Sequence, residues 1–253
     1  MYASMTADSY VWAGDEGRED MEVLDQLVDN EDMTPDQAVE KTIQLAQKPQ
    51  PYPTPLVLHC EATARGVIVA AARTSPERHS KLVAYVHKLR RKIVVDPITG
   101  RAYEHDGEVL WKDLPTFGYT IADELHSIPD PKPTPEKVAK WQNTIAFFAQ
   151  LDASTDDPKL DFTHTWALKY ISLALISPEA RYDHESTLRL ACIWFVYDAE
   201  KLWQRVPEDD GFSLTEWQRW KSALEEKGSQ VKDENTMDLI DAALAEMKRV
   251  ENQ

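Results

Sequence analysis

The chain has 253 residues, enough for one large helical domain or two small ones, and its 42% hydrophobic content is ample for a core, which excludes disorder throughout. Eight glycines against eight tryptophans disfavour turn-rich β architecture and supply bulky residues for packing between helices. With 28 basic against 44 acidic side chains and a net charge of −16, the surface as a whole repels a phosphate backbone, so non-specific nucleic-acid binding is not expected.

Residues 1–32 carry ten acidic side chains and one arginine, with only Met21, Val23, Leu24, Leu27 and Val28 to bury. This acidic segment is expected to be partly ordered and to dock one short helix. It has neither a basic n-region nor an apolar h-region, and no apolar run in the chain approaches the roughly 18 residues of a membrane span. Secretion by that route and membrane insertion are therefore not expected.

A helix-start motif then occurs four times: Thr34-Pro35-Asp36, Ser75-Pro76-Glu77, Thr134-Pro135-Glu136 and Ser177-Pro178-Glu179. The hydroxyl can accept from an orphan amide, proline loses nothing at the first helical position, and the acid faces the positive end of the dipole. Ser213 with Glu216 adds a capping box, and Asp161 is a further candidate cap. The spacing predicts helices near 21–30, 35–47, 56–72, 76–94, 115–126, 135–151, 162–176, 178–206, 214–227 and 234–250. PQPYPTP at 49–55 and PDPKPTP at 129–135 read as extended connectors. Thr99-Gly100 and Asp106-Gly107 are turn signals, so one small hairpin could form near 95–110.

WALKYISLALI (166–176) and LRLACIWFVY (188–197) are apolar nearly all round and are expected at the centre. The fold class is accordingly all-α: a single irregular helical bundle over 33–253, with two central helices at about 162–176 and 184–206. Helix 135–151 packs outside them through Val138, Trp141, Ile145 and Phe148. Helix 76–94 presents Leu82, Val83, Val86, Leu89 and Ile93 in the same manner.

Leu110-Trp111-Lys112-Asp113-Leu114-Pro115, Trp141 with Ala146-Phe147-Phe148-Ala149-Gln150-Leu151, and Ala191-Cys192-Ile193-Trp194 with Leu202-Trp203 are spaced hydrophobic landmarks. With Ser75-Pro76 and Lys81-Leu82-Val83, they resemble a fungal family catalogued only as a domain of unknown function, number three-six-three-two, over roughly 56–225. Gln150 departs from that pattern, which has a basic residue there. The resemblance implies a helical fold and a fungal source, and supplies no catalytic residues.

Cys60 and Cys192 each sit in an apolar stretch, which fits reduced core cysteines in a cytoplasmic protein. No Cys–His pair has zinc-ligand spacing, and no metal or cofactor is expected. Asp156-Asp157-Pro158-Lys159-Leu160-Asp161 superficially resembles a magnesium-binding aspartate motif, but Pro158 makes it a solvated turn ending in a cap. Lys169 and Asp198 interrupt the apolar stripes of the two central helices. Either the lysine snorkels and the aspartate sits at the helix rim, or the two pair structurally, or they line a ligand pocket with Trp166, Trp194 and Tyr197; they are expected to approach each other or a shared polar pocket between the two central helices. His164 and the cluster Tyr182-Asp183-His184-Glu185 add titratable groups nearby, which cap helices or face water, or supply a histidine and a carboxylate from neighbouring helices as base and orienter.

Residues 78–101 hold Arg78, Lys81, Lys88, Arg90, Arg91, Lys92 and Arg101 against Asp96 alone. The strip is matched by the acidic N-terminal segment, is simply solvated, or binds an anion through Lys88, Arg90, Arg91 and Lys92. Three functions follow in order of preference. The first is a small-molecule biosynthetic tailoring enzyme or binding protein of fungal specialised metabolism, with its pocket between the central helices. The second is a helical protein-interaction module. The third is an aminoacyl-tRNA-dependent, cyclodipeptide-synthase-like enzyme.

Overall fold

A computed structural model describes residues 18–47, 56–96, 98–126, 133–177, 183–206 and 211–253. The connector at 49–55, most of that at 129–135, and Pro178–Tyr182 lie outside the described residues. The fold is all-α, with a single two-stranded ladder among the described residues. It divides into two compact units, residues 1–127 and 128–253.

In the first unit, α1 (Arg18–Asp29), α2 (Pro35–Gln47), α3 (Leu56–Arg73), α4 (Ser80–Leu89) and α5 (Phe117–His126) pack around α3. Small residues let α3 be covered on several sides: Ala62, Ala64, Ala70 and Ala71 are buried, and a Cβ on Gly66 would meet Leu24 Cδ1 of α1 at 2.9 Å. Val23, Leu24, Leu27 and Val28 are buried in return, so α1 belongs to the core although its segment is acidic. The helix expected at 76–94 is shorter. A 3-10 turn at Pro76–Arg78 precedes α4, and the chain leaves the helix at Leu89 through amide bonds from Arg91 to Lys88 O and from Lys92 to Leu89 O. Three successive cations and the β-branched run Ile93-Val94-Val95 favour that exit. Val94 then enters the core and Ile93 faces solvent.

The hairpin pairs β1 (Glu104–His105) with β2 (Glu108–Val109) across Asp106-Gly107, both at positive φ as a type I′ turn requires. After it, Trp111, Leu114 and Thr116 also take positive φ, a costly run for non-glycine residues. Trp111 is thereby buried against Cys60, Val67 and Leu89 around a small apolar cavity.

In the second unit, α6 (Pro135–Ala153) and α10 (Glu234–Glu251) flank α8 (His184–Gln204), with α9 (Leu214–Gly228) beside α10. Between α6 and α8 in sequence, α7 (Leu168–Ile171) is a single turn set between π-helical turns at Thr163–Ala167 and Ser172–Ile176. Thr134, Asp183, Ser213 and Asp233 each accept an amide hydrogen at a helix start. Phe195, Trp217, Trp220 and Phe212 form an aromatic cluster with edge contacts at 5.8 and 5.9 Å. The expected central helices are correctly located here: Trp194 and Phe195 of α8 are fully buried and Trp166 is nearly so.

Candidate functional site

α6 ends against α8 at a buried polar cluster. Asp152, the last buried residue of α6, accepts from Phe162 N at 2.5 Å, from Thr163 Oγ1 at 2.9 Å and from Lys201 Nζ. Lys201 also donates to Asp152 O and Thr155 O, and Arg205 pairs with Asp161. These bonds clasp the loop 153–162 onto α8. The bond from Phe162 N also occupies one amide where the first π turn starts.

Asp198 stands behind the clasp and is only 1% exposed. Its Oδ2 lies 3.2 Å from Thr163 Oγ1, and its Oδ1 is buried with no hydrogen-bond partner. The helix bends at this residue, whose φ −134, ψ 17 is non-helical. Desolvation, and then the charge of Asp152, push the Asp198 carboxyl well above the usual range. Burial raises Asp152 too, but the bond and charge of Lys201 and two further donors oppose it, so Asp152 is the more acidic of the pair. Thr163 has one proton and cannot donate to both carboxylates. A consistent arrangement puts the proton on Asp198, which donates to Thr163, which donates to ionised Asp152, which faces Lys201.

Lys169 was expected to approach Asp198 or a polar pocket shared with it; the cation that acts on Asp198 and Asp152 is Lys201, one turn along the same helix. Lys169 instead lies over the Trp166 ring at 4.8 Å and the Tyr170 ring at 5.8 Å, and burial lowers its pKa. His164 and His184 are exposed, the former 6.3 Å from the Phe212 ring and the latter at the first position of α8. They do not join the cluster. Trp166 and Trp194 are buried and Tyr197 is half-buried, but neither described cavity is lined by any of the three. Trp194 Nε1 is buried without a partner, one turn before Asp198. Asp152, Thr163 and Lys201 were missed in the sequence. The only signal was Lys201 three residues after Asp198 on a mostly apolar helix, a spacing that puts both on one face.

A groove of about 510 Å³ opens at the N-terminal ends of α6 and α8, lined by Pro133, Pro135, Val138, Ala139 and Gln142 and by Asp183, Glu185, Ser186 and Arg189. Arg189 is engaged by Glu185, Asp233 and Thr236. In the first unit, Lys88 pairs with Asp36 at 2.8 Å, Lys92 with Glu40, and Arg90 donates to Lys112 O. Arg78 and Lys81 donate to Val28 O, Asn30 O and Glu31 O, the carbonyl end of α1. Much of the basic strip is thus matched from within, by α2 and the end of α1. Arg91 is exposed.

Among the described residues no three His, Cys, Asp or Glu side chains gather as a metal-binding group, and no helix is long and apolar enough to cross a membrane. Asp157 caps the short turn Pro158–Leu160, as a solvated loop would. No curated protein and no solved structure matches the chain. One family profile does, over residues 66–242, and it spans the strained Trp111 turn, the α6 aromatics and the Asp198 bend. The chain belongs to the family described as protein of unknown function, DUF3632.

Proposed function

We propose that the protein binds and acts on a small polar molecule in its second unit, with Asp198 as the reactive group, a neutral carboxylic acid that donates or shares a proton through Thr163. The observation that carries this reading is a buried carboxyl whose Oδ1 has no partner, at a bend in a core helix and beside π-helical turns. Folding gains nothing from such a group, because Asp152 already satisfies Thr163 and Lys201. Helix irregularity and shifted acidity of this kind gather at functional sites. Buried Cys60 and Cys192, each unbridged and pushed up to about 12, support a cytoplasmic setting as part of the same proposal.

The test is a thermal-shift screen of small polar metabolites on the wild-type chain and on Asp198→Asn. A ligand of the site raises the wild-type Tm by several degrees at saturating concentration and the variant's far less. A screen in which no compound distinguishes the two proteins counts against the reading. The open groove at α6 and α8 favours a second reading, a helical interaction module. A tRNA-dependent activity has less support, since Lys88 and Lys92 are committed to Asp36 and Glu40.

A further inference from the structure

Residues 162–176 carry one lysine, Lys169, and no acid. Lys169 sits on α7, the single regular turn between the two π-helical turns, on a run whose Ala167, Tyr170, Ile171 and Ala174 are fully buried. Such π turns occur frequently at functional sites. The Lys169 amine lies 4.8 Å from the centre of the Trp166 ring and 5.8 Å from that of Tyr170. Aromatic faces attract an ammonium and by themselves would keep it charged. Burial acts the other way and prevails: the side chain is half-buried and its pKa is lowered, with desolvation as the cause. The rings replace water around the amine and carry no formal charge to hold its proton.

We infer that Lys169 is a nucleophilic amine that forms an imine with an aldehyde, whose apolar or aromatic remainder lies beside the Trp166 ring. Only a neutral amine has the lone pair this requires, and a desolvated lysine is one of the ways proteins provide it. Nζ attacks the carbonyl carbon, the carbonyl electron pair goes to oxygen, and a proton passes from nitrogen to that oxygen. The carbinolamine then loses its hydroxyl with the remaining nitrogen proton as water while C=N forms. Amine and aldehyde thus give imine and water, with no oxidant or reductant. Imine formation asks for an amine and apolar surface, which is what the segment provides, and reduced access of water slows the hydrolysis that would reverse it. The step does not pass through Asp198, whose acting cation is Lys201, so this inference and the function proposed above can fail separately.

The test treats the full chain at neutral pH with benzaldehyde and cyanoborohydride, which reduces an imine to a stable secondary amine. Mass spectrometry of the lysine peptides then gives the rate at each position. Lys169 is expected to be benzylated at least about tenfold faster than the exposed Lys137 and Lys248. In denaturing urea the preference should disappear, because the fold is what removes water from the amine. Lys169→Arg keeps a cation for the Trp166 ring but supplies no comparable nucleophile, so the fast phase should vanish from the time course of the intact mass while the circular dichroism spectrum stays the same. Labelling of Lys169 no faster than that of Lys137 and Lys248 overturns the inference, as does a preference that persists in urea or a fast phase that survives Lys169→Arg. The first two measurements use the wild-type chain, so they decide the matter even if the variant fails to fold.

Discussion

Opposite charges meet in both units, but in different media. At α4, Lys88–Asp36 and Lys92–Glu40 are exposed pairs between helices whose apolar faces already fix their packing. At the end of α6, Asp152 is fully buried and Lys201 is 13% exposed. Attraction between exposed ions is weakened by water and salt, whereas a buried ion that loses its partner keeps its full desolvation cost. The exposed strip looks conspicuous in the sequence and contributes little. The buried clasp is nearly invisible there and contributes much.

The largest effect is therefore expected at the clasp. Lys201→Met leaves Asp152 buried beside Asp198 with its counter-ion gone, and Asp152→Ala frees Phe162 N, Thr163 and Lys201 together. Each should cost about 3–5 kcal/mol in urea denaturation at neutral pH. A loss under about 1 kcal/mol, the range of an exposed pair, would erase the distinction between the two regions.

Asp198 sharpens the comparison, because its removal should not cost what removal of Asp152 costs. Its folded pKa is raised, so above the unfolded value of 3.8 the folded state binds more protons than the unfolded one. Wild-type stability from this group is then highest at low pH and falls as pH rises from 3.8 towards the folded pKa. Asp198→Asn removes that slope. The variant should gain on the wild type as pH is raised from 4 to 7 and be at least as stable at pH 7, within about 1 kcal/mol. A variant that loses several kcal/mol at pH 7 would make Asp198 a strut of the fold and remove the basis for its functional role.

Helix positions were legible because hydroxyl, proline and acid recur in a fixed order at their starts: Thr34 and Thr134 each accept the expected amide hydrogen, as does Ser213 of the capping box. Ser75 does not, and only a 3-10 turn follows it. The family landmark Leu110–Pro115 could be seen but not interpreted, since nothing in its letters says that Trp111, Leu114 and Thr116 adopt left-handed backbone to turn the indole inward. Asp198 stood out because a charge on an apolar stripe has an immediate cost. Asp152 and Thr163 did not, because aspartate near a helix end and threonine near a helix start are ordinary surface residues until tertiary packing buries them. Pairing Asp198 with Lys169 failed for a related reason: a lysine on a facing stripe can lie over Trp166 instead, and the rotation of one helix against another is not written in either stripe.

The smallest effect belongs to the basic strip. Lys88→Met and Lys92→Met remove two exposed pairs, and each should lower stability by less than about 1 kcal/mol at low ionic strength. At about 1 M salt the Debye length falls to about 3 Å, and the difference from wild type should vanish. Retaining the aliphatic stem matters to the design, because lysine stems cover apolar surface and an alanine would confound lost packing with lost charge. Combining Lys88→Met with Lys92→Met in one chain measures what the strip offers a polyanion. If tRNA binds there, neutralising two contacts flattens the dependence of log K on log salt by nearly two units for a duplex arm. An unchanged slope, with the small salt-screened loss of stability present, assigns both lysines to the α2–α4 contact alone.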